Sequence, residues 1–130
     1  MEFKKLPTIN GRKEIRMAKL EQKLIGDFDN IVEKIENGIK SGSVSATLEG
    51  GSDFLEGDCR CAVRVFERYS YLGGNRLSLN VTLFQKADGP IHLSAISAGG
   101  SQALYLKINT FGEQAFLDKL EEITFNIQQF

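Results

Sequence analysis

The sequence predicts an α+β fold: a two-layer sandwich in which two helices lie on one face of an antiparallel meander sheet of four or five strands. Three observations carry this. Leu77, Leu79, Val81 and Leu83 alternate with Ser78, Asn80 and Thr82, the period of a strand buried on one face. Phe28, Ile31, Val32, Ile35 and Ile39 recur at spacings of three and four, the period of a helix with one apolar face. Turn signals at Gly73-Gly74-Asn75 and Ala87-Asp88-Gly89-Pro90 bracket the alternating strand, so its neighbours should pair with it antiparallel.

Taken in order, residues 1–16 show no clean period and are interrupted by Pro7 and Gly11; they read as an N-terminal extension or tail before a single domain over residues 17–130. Ala18 to Ile25 reads as a short strand rather than the end of a weak helix, because Gly26-Asp27 follows as a break. Asp27 or Asp29 is the expected N-cap of the first helix, its carboxylate accepting from free backbone N–H groups. Ser41-Gly42 should end that helix. Ser43 to Glu49 alternates through Val44, Ala46 and Leu48 as a strand, and Gly50-Gly51-Ser52-Asp53 reads as a loop.

From Cys59 the pattern alternates again, with Cys59, Cys61, Val63, Val65, Tyr69 and Tyr71 at odd positions and Arg60, Ala62, Arg64, Phe66 and Arg68 at even ones. Turning the arginines to water sends the odd positions to the core. Odd must then pair with odd, because a slip of one residue exchanges the two faces. That requires a three-residue loop at Gly73-Gly74-Asn75 and sets Tyr71 opposite Leu77. Ile91, Leu93 and Ala95 face inward on the next strand, with His92, Ser94 and Ile96 outward. After a turn at Gly99-Gly100-Ser101, Ala103 to Ile108 reads as a fifth strand. Thr110-Phe111-Gly112-Glu113 fits a capping box, opening a helix with Phe116, Leu117, Leu120, Ile123 and Ile127 on its apolar side.

Composition narrows the class. A chain of 130 residues, 42% hydrophobic and 25% charged, suits one globular domain with a core of its own. No apolar run approaches a membrane span, and the N-terminus lacks the apolar core of a secretory signal. Two cysteines in that setting point to a reducing, cytoplasmic location. The net charge of −1 conceals a basic head: residues 1–26 carry seven Lys/Arg against three acids, and the remainder nine against fourteen. An ordinary solvated extension accounts for this more simply than an arm for an acidic partner.

Chemistry-bearing motifs are scarce. Cys59 and Cys61 share one strand face and are poorly placed to bridge each other. A metal site would need these two thiols together with His92, the sole histidine, from opposite faces of the sheet, so no metal and no cofactor is expected. No nucleophile, base and orienting group can be assembled, and Gly99-Gly100-Ser101 lacks the ending of a phosphate loop. Glu67 is the exception, a carboxylate placed by parity on the core face, where it would anchor a pocket with Tyr69 and Tyr71. A bulge at Glu67 or Arg68 that turns it to water is the alternative.

On the outward face the register gathers Arg64, Phe84 and His92 in one row, Phe66 with Thr82 and Ser94 in the next, and Arg68 with Asn80 and Ile96 beyond. Such a face is more apolar than solvent alone requires. Arginines stacked over the phenylalanines would cover it locally; otherwise Arg64, Phe66, Arg68, Phe84, His92 and Ile96 form an interaction surface.

The segments CRCAVRVFERYSYLGGNRLSLNVTLFQ and ISAGGSQALYLKINTFGEQAFLDKL resemble a family of short bacterial proteins known as a domain of unknown function, over about Met17 to the C-terminal helix. That resemblance marks the first sixteen residues as additional and implies no catalytic residues. The sequence therefore favours a small non-enzymatic binding module. It would self-associate as a homodimer through the sheet face or hold a small apolar ligand between helices and sheet. Single-stranded nucleic acid binding on the Arg/Phe face is the alternative, disfavoured by the acidic body, and an enzyme using a carboxylate such as Glu67 comes third.

Overall fold

The chain runs β1 (Glu2–Lys5), β2 (Thr8–Ile9), β3 (Arg12–Lys13), β4 (Met17–Leu24), α1 (Phe28–Gly42), β5 (Thr47–Glu56), β6 (Cys59–Ser70), β7 (Asn75–Lys86), β8 (Ile91–Gly99) and α2 (Leu106–Ile127). The structure is a computed structural model that describes residues 2–5, 8–9, 12–13, 17–42, 46–70, 75–99 and 106–128, those within 2–18, 69–70 and 106–116, and residues 42 and 75, by backbone alone. Six strands make one antiparallel sheet in the order β1-β4-β8-β7-β6-β5, and β2 pairs with β3 in a separate hairpin. The α+β sandwich and the β5-β6-β7-β8 meander are as the sequence predicts. The segment read as a tail contributes a strand: Glu2–Lys5 lies along β4, with Phe3 opposite Leu20.

Along β4, β8, β7, β6 and β5 the direction reverses at each step, so β4 and β5 run the same way on opposite sides of the meander. A connection between them must recross the sheet, and α1 does this on the face that then becomes the core. Its start is fixed locally, because the Asn30 N–H donates to Asp27 Oδ2 at 3.0 Å and the Ile31 N–H donates to the Asp27 carbonyl at 3.0 Å. All five apolar positions of α1, from Phe28 to Ile39, are buried. They meet Leu20 and Leu24 of β4, Ala62 and Phe66 of β6, Leu77 to Leu83 of β7, and Ile91, Leu93 and Ala95 of β8, together with Leu117, Leu120 and Ile127 of α2. Each such Leu, Ile or Phe contributes about 1.5–3 kcal/mol by leaving water.

Two elements differ from the sequence reading. β5 continues through Gly50-Gly51-Ser52-Asp53, interrupted only by a bulge between Leu48 and Gly50, and the chain reverses at Gly57-Asp58 instead. Gly57 adopts φ 60, a conformation that costs a residue without Cβ little, and the two-residue turn joins Glu56 to Cys59. Second, Leu106–Ile108, expected in a strand, is the start of α2, so Thr110 and Glu113 lie inside the helix and are not its cap. Leu104 and Ile108 stand one helical turn apart as well as on one strand parity, and so short an apolar run suits either period. Ala103 to Tyr105 lie outside the described residues.

Candidate functional site

Everything functional turns on which way β6 faces. Its register pairs Ala62 with Leu83, Phe66 with Leu79 and Ser70 with Asn75, odd with even, leaving four residues between the strands where three were expected. The faces are therefore exchanged: even positions of β6 point to the helices and odd positions away from them. The arginines are tolerated on the helix side because α1 brings acids to them. Arg64, its side chain 13% exposed, donates to Glu36 Oε2 at 2.5 Å, to Asp53 Oδ1 at 3.0 Å and to the Val63 carbonyl at 2.9 Å. Burial alone would lower the Arg64 pKa, but hydrogen bonds to Glu36 and Asp53, and their charges, raise it above its ordinary value. Arg60 bonds Asp29 and lies over the Phe28 ring, its guanidinium carbon 4.5 Å from the centroid. Arg68, also on this side, has its pKa lowered by burial.

This placement corrects the expected surface row. Arg64, Phe66 and Arg68 face the helices, with Phe66 fully buried, while Phe84, His92 and Ile96 lie on the opposite side as anticipated. Expected in the core, Glu67 instead stands half-buried on the helix-free face, ion-paired with Arg76. No bulge turns it there; the whole strand is reversed in facing. Tyr69 pairs with Arg76 in the backbone register, and Tyr71 lies outside the described residues. Glu67 therefore does not face the helix layer, where it was expected to anchor a pocket.

The exchange adds Cys61, Val63 and Val65, which the sequence reading had consigned to the core, to the face that already held Phe84, His92 and Ile96. One row across the helix-free face reads Phe54, Cys61, Phe84, His92 and Lys23; the next Ser52, Val63, Thr82, Ser94 and Glu21; the third Gly50, Val65, Asn80, Ile96 and Lys19. Phe54 is 61% exposed and Phe84 41%, and Cys61, Val63, Val65 and Ile96 are only partly covered. The apolar half sits over β5, β6 and the end of β7. Towards β4 the face becomes polar, with Lys19 held to Glu21 at 3.2 Å and the Phe84 and His92 rings 6.5 Å apart. Both cysteines are free and on this face, and His92 shares it, but Phe84 stands between Cys61 and His92. No cluster of metal-ligating side chains occurs among the described residues.

A groove of about 960 Å³ wraps the edge of β4 where β1 stops, open to solvent, with Lys23, Phe84 and His92 on the helix-free side and Leu24, Thr124 and Phe125 on the other. The amide of Gln128 closes one end of it, donating to the Ile25 carbonyl at 3.0 Å and accepting from the Ile25 N–H at 3.2 Å. Residues missed from the sequence had a signal. Asp29 and Glu36 are seven apart on a helix, ~10 Å, and Arg60 and Arg64 four apart on a strand, ~14 Å, a spacing that lets one pair answer the other. Phe54 and Leu55, between two acids, form an apolar pair directly after what read as a loop.

The chain matches the model of a family of unknown function, DUF6054, over residues 17–128. It belongs to that family. No curated protein matches the chain. Among solved structures, a Pseudomonas aeruginosa protein of unknown function, PA94, described as a putative regulator, superposes with a TM-score of 0.55 at 12% identity, covering 88% of this chain and 77% of that one. TTHA0849 from Thermus thermophilus gives 0.38 at 9% identity, covering 87% and 99%. The first likeness shows that this DUF6054 chain shares a fold with PA94; at that identity it says nothing of activity.

Proposed function

We propose that the protein is a small non-enzymatic interaction module that self-associates through the helix-free face of its sheet. The observation that carries this is the apolar half of that face, Phe54, Cys61, Val63, Val65 and Phe84, on the side of the sheet that carries neither helix. Its size suits a second copy. Five strands about 4.8 Å apart and eight residues deep, with the four-residue β1 beside them, give a flat footprint of ~700 Å², near the ~800 Å² that each partner contributes to a standard stable interface.

Charge supports the same partner. The described charged side chains of the face are mixed in sign, with Lys19 paired to Glu21 and Arg76 to Glu67, so a second copy meets no one-sign field. Nucleic acid would need a basic face to neutralise phosphates, and Arg60, Arg64 and Arg68 lie on the other side of the sheet. The sheet edges are blunted: β1 is four residues long and contains Lys4 and Lys5, and β5 carries a bulge with Glu49, Asp53 and Glu56. Association is thereby directed to the face.

No helix among the described residues is long and apolar enough to cross a membrane, and the two free thiols fit the cytoplasmic location read from the sequence. Light scattering tests the central reading. The wild type should have the mass of a dimer and Phe84→Glu that of a monomer; a monomeric wild type, or a mutant that dimerises equally well, refutes it.

A further inference from the structure

We infer that the two copies are related by a two-fold axis that lies between the stacked sheets, perpendicular to the strands, and passes over the row Ser52, Val63, Thr82 and Ser94. The inference rests on the self-association proposed above and goes on to state how the face meets itself. Two observations select this row. Across β5, β6, β7 and β8 it carries only small or β-branched side chains, so two sheets approach along it there, and its fifth member, Glu21 at β4, is a charge that meets its own copy, held by Lys19 at 3.2 Å. On either side of it, β5 presents opposite shapes: Phe54, 61% exposed, two residues one way, and Gly50 two residues the other, where an added Cβ would meet nothing within 4 Å.

A two-fold over Ser52 lays Phe54 of each copy on the Gly50 notch of its mate, knob on hole at two equivalent places. The rotation also keeps strand order, so the apolar half over β5 and β6 covers the apolar half of the mate and the polar columns of β8 and β4 lie together. Moving the axis one row towards Cys61 would set Phe54 on Phe54 and Phe84 on Phe84. Moving it one row the other way would set Ile96 on Ile96 and take Phe54 off the Gly50 notch. An isologous contact of this kind closes on itself as a dimer and does not propagate into a fibre.

The arrangement predicts which positions are near their own copies. Sheets stack ~10 Å apart, too far for a direct disulfide but within reach of a short bismaleimide. Val63, on the axis, faces Val63 of the mate. Cys59, four residues away, lies ~14 Å from the axis along the strand and ~27 Å from its own copy. In the triple variant Cys59→Ser, Cys61→Ser, Val63→Cys, the reagent should link two chains efficiently; in Cys61→Ser, which keeps Cys59, it should not. Gly50→Phe should raise the dimer dissociation constant at least tenfold, about 1.4 kcal/mol, while leaving the thermal unfolding of the monomer unchanged, because its side chain enters open space.

The outcomes separate. A dimer that Phe84→Glu dissociates, but that links equally at Cys59 and ignores Gly50→Phe, keeps the contact and overturns the axis. A wild type that is monomeric overturns both. Linkage confined to position 63, together with a dimer weakened by Gly50→Phe, establishes the axis.

Discussion

Arg64 shows how one side chain sets the facing of a strand. An arginine pointing at a helix layer must find anions there or carry the cost of an unpaired charge, and Glu36 and Asp53 supply them from two different elements. Arg64→Met should therefore destabilise the protein by ~2 kcal/mol in urea titration, because both carboxylates lose their partner. Arg64→Lys should recover less than half, since an ammonium cannot reproduce the guanidinium fork. The folded-state pKa of Arg64 is raised, so its contribution is fully present below the unfolded value and is lost only as pH rises through the folded one. Both lie far into alkali. The difference between wild type and Arg64→Met should thus be the same at ~pH 6 and ~pH 9, and a difference that collapses between them would show that another group titrates. Gln128 acts locally, satisfying both backbone groups of Ile25 as a neighbouring strand would. Gln128→Ala should speed hydrogen exchange at the Ile25 amide and leave that of Leu20 unaffected.

Helix α1 is the element on which the layers depend, because it recrosses the sheet and carries the acids for β6. It approaches α2 closely at Gly38, where a Cβ would fall 2.6 Å from Ile123 Cδ1. Gly38→Val should cost ~2 kcal/mol through overpacking, measured by thermal unfolding. Ile123→Ala in the same chain should return part of that loss, since the contact is with a side chain and not with backbone. A fully additive pair would mean that the two helices do not touch there. At this scale α1 and β7 were legible, each with a single unambiguous period. The start of α2 was not, and neither was β5, whose glycines imitate a loop although the ladder to β6 carries them through as strand.

For the whole molecule, the organising fact is that both helices lie on one side of a six-stranded sheet. One face therefore holds the core, with Leu55 still exposed at its β5 edge, and the other carries neither helix and presents Phe54 and Phe84 to solvent. A contact of that character gains its free energy from apolar burial, which salt does not screen. The dimer mass by sedimentation should accordingly persist from low to high ionic strength. Dissociation by salt would indicate instead a contact held by Lys19, Lys23 or Lys86.

By itself the sequence determined the class of fold, the first helix with a cap at Asp27 or Asp29, and the alternation of β7 and β8. In each case one period dominates and the burial it demands agrees with the local turn chemistry. Only the tertiary structure decided the face of β6. Both parities of that strand hold apolar residues, Ala62 and Phe66 on one and Val63 and Val65 on the other, so hydrophobicity leaves the choice nearly balanced. Placing the arginines outward was the sound inference for a strand considered alone. It failed because Asp29 and Glu36, some thirty residues earlier in the chain, are brought over Arg60 and Arg64 when α1 packs on the sheet. That long-range pairing reverses the strand, and with it the composition of the helix-free face of the sheet.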